Sequence, residues 1–406
     1  MKISKKIDWK HYCLVIIITA VVFLVFFNRE EDIVEEFDIQ YPFPEATDGA
    51  EKGLSAVYAG VIDEYMLFMG GCNFPDVPAA EGGKKRFYKA IYAARIPATT
   101  DTILQWKKLG DIEEASAYGV SVSMLGGVVC VGGVNGEGSL STANIIMLDK
   151  DSMEVLINPL PDLPVTLDNM GGAVMDTMLY VAGGNANGVP SNRVFLLDFT
   201  NLQAEWIELP SFPGEPRVQP VCAVMTNEQG EKSLYIWGGF APSVNGSEPS
   251  VSPTGYRYSF RQGEWIELSS PKIANEEIFL GGAAVTAIND TIALFTGGVN
   301  KDIFLKALQR EADLKRAISQ NDITAENRLR TEAREYMLQS PEWYKFNNRV
   351  LLYNSLRNNW EEIFVTQSMA RAGAALLYKE GCLYSIGGEL KPGVRVPEVA
   401  AVSLNR

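Results

Sequence analysis

Six times along this chain an apolar, strand-like run ends in a glycine pair: YMLFMGG, GVVCVGG, MLYVAGG, LYIWGG, IALFTGG and CLYSIGG. The pairs begin at Gly70, Gly132, Gly183, Gly238, Gly297 and Gly387. Four intervals are about 50 to 60 residues and the last is about 90, roughly one four-stranded β unit each with one insertion. Such a period overrides the two or three domains that length alone suggests, because stacked repeats share one continuous core. An all-β, radially repeated fold is expected.

Each repeat carries further signals. A small-residue strand precedes the glycine-ended run, as in GAVM, GAAVTA and GAALLY, and suits a crowded centre. After the run comes a strand such as NIIMLD, RVFLLD or RVLLYN, which reads as an edge strand, and then a tryptophan (Trp106, Trp206, Trp265, Trp360) opens the last one. Alternation within these runs predicts half-buried antiparallel strands, and the glycine pairs suit a turn that a Cβ would obstruct. EVAAVSL, near the C-terminus, reads as a third strand with no fourth behind it. Phe37 to Pro44, FDIQYPFP, matches WIELPSFP at 206–213, so the N-terminal strand is expected to complete the last unit and close the ring. The leucine-, alanine- and charge-rich piece from Lys301 to Glu335 is helical in pattern and predicts an insertion over about 301–345 that caps one mouth.

Composition removes several chemistries. The formal net charge of -14 leaves no basic surplus for a nucleic-acid partner. The single histidine, His11, lies close to the N-terminus. Ser-His-Asp and Cys-His catalysis and His-ligated zinc or copper all need an imidazole in the folded body. The five cysteines, Cys13, Cys72, Cys130, Cys222 and Cys382, show no CxxC spacing and read as buried thiols. Lys2, Lys5, Lys6 and Lys10 precede the uncharged run Tyr12 to Phe27, and the acidic stretch REEDIVEEFD follows. That order predicts a signal anchor over 1–30, or a cleaved signal peptide. Residues 31–406 would then lie in the periplasm, touching the membrane only through that segment. Cys13 precedes most of the apolar run, unlike a lipoprotein cysteine.

The residues after the six glycine pairs are Cys72, Val134, Asn185, Phe240, Val299 and Glu389. Only the last is charged at neutral pH. It opens the stretch GGELKPGVR, Gly387 to Arg395, which the residues alone leave open between an acid/base and anion-binding pair and a turn whose glutamate pairs with Lys391 or Arg395.

The repeats resemble kelch motifs. More specifically, TGGVNKDIF (Thr296 to Phe304), the helical insert, RVLLYNSLRNNW and GGELKPGVR resemble, in order, the bacterial sialic acid (N-acetylneuraminate) mutarotase, or epimerase, family. GEPRVQPVCAV and LYIWGGF in mid-chain resemble that family's opening units, and AYGVSVS and VGGVNGEG its closing ones. This matches a cyclically permuted subfamily. The resemblance implies a six-bladed kelch-type β-propeller with a helical insertion in one blade. It implies anomer interconversion of an anionic sugar with no metal or other cofactor, and a catalytic pair that falls on Glu389 and Arg395. Gly387-Gly388 stands where the family usually has Asn-Gly. Glu389 would move protons, a contribution typically worth ~10² to 10⁴ in rate, and Arg395 would meet the sugar's carboxylate through a two-pronged charge-assisted bond. Asn135 and Asn300, in two GGVN copies, and Arg217, Arg371 and Tyr118 are weaker binding candidates, each with a structural alternative: turn satisfaction for the asparagines, an ion pair for the arginines. A non-catalytic kelch module binding carbohydrate or protein is the other reading. A sialidase is a further one, although its S-x-D-x-G-x-x-W box does not occur here.

Overall fold

The structure, a computed structural model, describes residues 34–97, 103–200 and 205–405. The expected signal anchor over 1–30, with its uncharged run Tyr12 to Phe27, His11 and Cys13, lies outside the described residues. Among those described, each glycine-ended run is the second strand of a four-stranded antiparallel sheet, and there are six such sheets. Sheet 1 runs Tyr58–Ile62, Tyr65–Met69, Ala90–Arg95 and Lys107–Asp111. Sheets 2 to 5 repeat that order from the inner strands Val120–Met124, Gly171–Met175, Val221–Thr226 and Ala283–Asn289. Sheet 6 draws on both ends of the chain. Ala375–Lys379, Cys382–Ile386 and Glu398–Asn405 are followed in space by Val34–Pro42, which pairs antiparallel with Tyr41 opposite Val399.

The innermost strands touch in a cycle, from sheet 1 through sheet 6 and back to sheet 1. One apolar cluster lies between each consecutive pair of sheets. Leu67 and Met69 of sheet 1, for example, pack with Val128 and Ile146 of sheet 2, while Met66 and Phe68 turn the other way toward Tyr384 and Val399 of sheet 6. This corrects the half-buried expectation: the second strands are covered on both faces, and Tyr65–Met69 is buried from Met66 onward. A strand sandwiched between two sheets must be apolar on both sides, which is why YMLFM and LYIW read as continuous runs. It also corrects the edge assignment, since Arg349–Asn354 lies third of four with its middle four residues buried. The tryptophans mark the true outer strands, Trp265 and Trp360 within them and Trp106 and Trp206 one residue before. The indole N–H groups of Trp106, Trp206 and Trp265 donate to the carbonyls of Pro42, Pro161 and Pro210 at 3.1, 2.8 and 2.8 Å, each on the preceding sheet.

A second device closes the centre. Just before each inner strand stands a residue in left-handed backbone: Ala56, Tyr118, Asn169, Gln219, Gly282 and Gly373. Each N–H donates to the carbonyl of the one before it, and Ala56 donates to Gly373 at 2.8 Å, so six backbone bonds form a closed circle. The glycine pairs then fasten neighbouring sheets. Gly388 N–H donates to the Leu54 carbonyl at 2.8 Å, and a Cβ on Gly387 (φ +60°) would strike that same carbonyl. The obstruction is therefore the adjoining sheet as well as the turn. Gly71, Gly133, Gly184 and Gly298 make the equivalent bond at 2.7 to 2.9 Å.

Between the second and third strands of sheet 5 the chain leaves to form α1 (Lys301–Ser319) and α2 (Ile323–Leu338), capped by Asn300 and Asp322. The insert ends in a short turn, Pro341–Tyr344. Helix α1 meets the Ser250–Val251 strand beside sheet 4, where Phe304 and Phe240 pack edge-on at 4.8 Å, and α2 reaches Ala79–Glu81 near sheet 1. No helix among the described residues is long and apolar enough to cross a membrane.

Candidate functional site

The six post-glycine residues occupy one rim. Cys72, Val134, Phe240 and Glu389 bridge antiparallel to Ser55, Ala117, Val218 and Ala372, and Asn185 pairs with Asp168, in each case the residue directly before the ring position. Val299 N–H donates to the Gly281 carbonyl in the same place. The single carboxylate of that set, Glu389, therefore stands beside the central ring.

Glu389 and Arg395 face each other across a two-stranded hairpin, Glu389–Lys391 with Val394–Arg395. The turn between them needs Gly393 at φ +82°, and its N–H donates to Glu389 Oε2 at 3.2 Å. Arg395 Nη1 donates to the same oxygen, and Arg395 Nε donates to the Cys72 carbonyl at 3.3 Å. The side chains are 25% and 3% exposed, so this is an ion pair set into the protein rather than on its surface. Oε1 accepts no hydrogen bond among the described residues. Burial works against the charge of Arg395, but the Glu389 carboxylate beside it prevails and holds the guanidinium above its usual range.

Tyr118 joins this pair. Burial raises its hydroxyl well above the ordinary tyrosine value, with Cys72 and Glu389 adding to the rise and Arg395 opposing it. Lys85 Nζ donates to the Tyr118 hydroxyl at 3.2 Å and lies 4.7 Å from the ring centre. From the other side the helical insert supplies Tyr336 and Tyr344, stacked edge-on at 5.1 Å, with the Arg310 guanidinium 4.5 Å over the Tyr336 ring. Burial pushes the Tyr344 hydroxyl up to about 12, with Arg310 lowering it and Glu389 raising it. Lys391 ties the two parts together by donating to the Met337 and Gln339 carbonyls at 3.3 and 2.6 Å. Neither Lys85 nor Arg310 makes an ion pair among the described residues. Below the rim, a central cavity of about 210 Å³ is lined by all six ring residues and the small side chains of the inner strands.

Of the residues singled out from sequence, Glu389, Arg395 and Tyr118 are brought together and four are not. Arg217 and Arg371 turn away from the opening. They occupy the position held by Leu54, Leu167 and Leu280 in other repeats, all buried, and each folds back on its own glycine-ended strand. Arg217 donates to the Gly238 and Thr254 carbonyls at 3.3 and 2.8 Å, beneath Phe212 and Tyr256. Arg371 donates to the Gly387 carbonyl at 3.3 Å and to Glu398 Oε1 at 2.9 Å, while burial pulls it down to about 10 against the pull of Glu398. Asn300 is spent capping α1, its Oδ1 accepting from Ile303 N–H at 3.1 Å. Asn135 closes its own turn through Glu137 and Gly138, and its amide donates to Glu114 at 3.2 Å. Lys85 and Arg310 were missed because neither stands in the repeat. Asn169 and Gln219 were legible in principle, since both align with Tyr118. Among the described residues no group of three His, Cys, Asp or Glu is placed to hold a metal.

Comparison with known proteins places this geometry. The family model described as N-acetylneuraminate epimerase matches residues 160–406. Similar curated relatives are the N-acetylneuraminate epimerases of Yersinia enterocolitica, 31% identical over 240 residues, and Salmonella arizonae, 30% identical over 237. These alignments cover 59% and 58% of this chain and 56% of each relative, so the chain spans about half the length of the curated relatives it matches. The solved structure titled "Structure of YjhT" is similar with a TM-score of 0.51 and 26% identity, over 61% of this chain and 66% of that one. With more than half its length matched by that family's model, Glu389 and Arg395 included, the chain belongs to the N-acetylneuraminate epimerase family.

Proposed function

We propose that the six sheets are the blades of a kelch-type β-propeller and that the protein interconverts the α and β anomers of N-acetylneuraminic acid. The observation that carries this reading is the division of the Glu389 carboxylate. Oε2 is held by Arg395 and Gly393, while Oε1 accepts no hydrogen bond among the described residues. A carboxylate fixed at one oxygen and open at the other is oriented for proton transfer. Oε1 takes the proton of the anomeric hydroxyl as the bond from the anomeric carbon to the ring oxygen breaks. Protonated at Oε1, Glu389 passes that same proton to the ring oxygen, and an open-chain ketone results. Rotation presents the other face of the ketone, the hydroxyl adds back as its proton passes through Oε1 to the carbonyl oxygen, and the carboxylate is restored, so nothing is consumed.

Arg395 then acts on Glu389 rather than on the sugar, because its Nη1 and Nε are already engaged and its side chain is 3% exposed. The sugar's carboxylate falls instead to Lys85 and Arg310, cations at the same rim without an acidic partner among the described residues. A cyclically permuted chain also accounts for where the family match begins. A collinear comparison can follow a permuted ring only as far as the shared order lasts, and residues 160–406 hold sheets 3 to 5 and three strands of sheet 6. The lysine-led apolar run before residue 30 supports a periplasmic, membrane-anchored placement.

The test is anomer exchange by NMR with N-acetylneuraminate and the soluble domain. Exchange well above buffer is expected. Equilibration at the buffer rate, or release of sialic acid from a sialoside, would overturn the reading.

A further inference from the structure

The ring of backbone bonds is chemically lopsided. Tyr118, Asn169 and Gln219 put polar side chains on three consecutive sheets, whereas Ala56, Gly282 and Gly373 leave the other half bare, and all six line the central cavity. Behind the polar half lies Asp168, a buried carboxylate that no cation faces among the described residues. It accepts instead from the Ser139 hydroxyl, from Asn169 Nδ2 at 2.6 Å and from Asn185 Nδ2 at 2.8 Å.

That carboxylate dictates a direction. Because it accepts, the NH₂ end of Asn169 must face it, leaving Asn169 Oδ1 to point onward. Oδ1 accepts from Gln219 Nε2 at 2.8 Å, which in turn forces Gln219 Oε1 away from Asn169 and toward Gly282. The place a Cβ would take on Gly282 is 3.2 Å from Gln219 Oε1 and 3.7 Å from Ala372 Cβ. Ala372 is the residue that exchanges backbone hydrogen bonds with Glu389. An acceptor of fixed direction thus sits beside Gly282 on the side facing Ala372, the backbone partner of Glu389, and it accepts no hydrogen bond among the described residues.

We propose that Gln219 Oε1 is a specificity-determining acceptor for a neutral N–H or O–H donor on the sugar's side chains, and that Asp168, acting through Asn169, is the residue that positions it. This rests on the anomer-exchange reading of the same site. The negative end of an amide dipole repels a carboxylate, so the sugar's anionic end is directed to Lys85 and Arg310 and a neutral arm to Gln219. Asn185, which also donates to Asp168, holds the carboxylate from the far side.

The experiment measures binding and anomer exchange of N-acetylneuraminate by wild type, Gln219→Ala, Asp168→Asn and the double variant, with thermal melts for each. Gln219→Ala is expected to raise KM about fivefold to tenfold, the size of one neutral hydrogen bond, with kcat within about twofold. Asp168→Asn frees Asn169 to turn over and is expected to give a similar rise, with the double variant no worse than Gln219→Ala alone. The analogue bearing a hydroxyl in place of the acetamido group identifies the donor: a penalty confined to the acetamido sugar assigns the amide N–H, and an equal penalty on both assigns a hydroxyl. An active wild type with KM unchanged in Gln219→Ala overturns the proposal and leaves the exchange reading standing. Additive penalties in the double variant overturn the positioning role of Asp168. If Asp168→Asn fails to fold, Gln219→Ala decides the acceptor role and Asn169→Ala, which breaks the relay from Asp168, decides the positioning: an unchanged KM there overturns it. Wild type that neither binds nor exchanges the sugar removes the exchange reading and this proposal together.

Discussion

Lys391 donates to the Gln339 carbonyl at 2.6 Å, so the strand that begins with Glu389 is fastened to the end of α2. The acid/base hairpin and the helical insert are one mechanical unit. Lys391 is also the residue of GGELKPGVR to which sequence gave no role, because its partners are backbone carbonyls 52 and 54 residues away.

Lys391→Met removes that fastening while keeping the length of the side chain. Charge-assisted hydrogen bonds of this kind contribute about 1.5 to 3 kcal/mol. The variant is expected to melt earlier and to be cleaved within 301–345 at protease levels that spare wild type. KM should rise more than kcat falls, because Tyr336 and Tyr344 lose their placement. Unchanged proteolysis would argue that the insert docks without Lys391.

Glu389→Gln keeps the shape and most hydrogen bonds of the hairpin but removes the base. Exchange is expected to fall by ~10² to 10⁴ toward the buffer rate, with sugar binding retained. NMR line shapes and titration give both quantities, and a variant as fast as wild type would exclude Glu389 from proton transfer.

Arg310→Ala and Lys85→Ala test where the sugar's carboxylate docks. Loss of one charge-assisted bond is expected to raise KM about tenfold or more, with kcat little changed. Added salt should narrow the difference from wild type, since both cations reach solvent. If neither variant shifts KM, the anion must dock on Arg395 after all.

Gly387→Ala should destabilise the fold through the closure between sheets 6 and 1. The left-handed backbone alone costs about 1 to 2 kcal/mol with a Cβ, and the new methyl also meets the Leu54 carbonyl. Gly136→Ala is the control, since nothing lies within 4 Å of a Cβ there. Denaturant melts should separate the two clearly.

Alkaline pH should unfold the protein through its buried tyrosines. Burial pushes Tyr180, Tyr235 and Tyr344 up to about 12, whereas the unfolded chain ionises near the ordinary tyrosine value of 10.0. A raised folded pKa means that this stabilisation is complete below pH 10 and is lost as pH climbs toward 12. Phenolate absorbance should therefore lag below the value expected for free tyrosines and rise together with loss of structure. Smooth ionisation near pH 10 without unfolding would contradict the burial.

The repeat, the six glycine pairs and the candidate carboxylate were legible in the chain because they are local and recur. Apolar runs, glycines before a charge and tryptophans at set places follow from one unit being built six times. The half-buried runs and the edge strand expected from alternation differ from the structure for one reason: alternation describes a single sheet, while each sheet here is buried by two neighbours. Arg217 and Arg371 take the structural alternative, Arg371 as an ion pair with Glu398, since an arginine in a leucine position shows its burial only when the repeats are laid over one another.

By itself, then, the sequence determined the number of units, the family resemblance, and the presence of one acid and one arginine in a single short hairpin. The tertiary structure decided what those groups face. Closing the ring brings Leu54 to Gly388, Cys72 to Arg395 and Tyr118 to the Glu389 pair, and it swings α2 over them. Those contacts join residues more than fifty positions apart, where local pattern carries no information. The free oxygen of Glu389 and the direction of Gln219 therefore exist only in the closed fold.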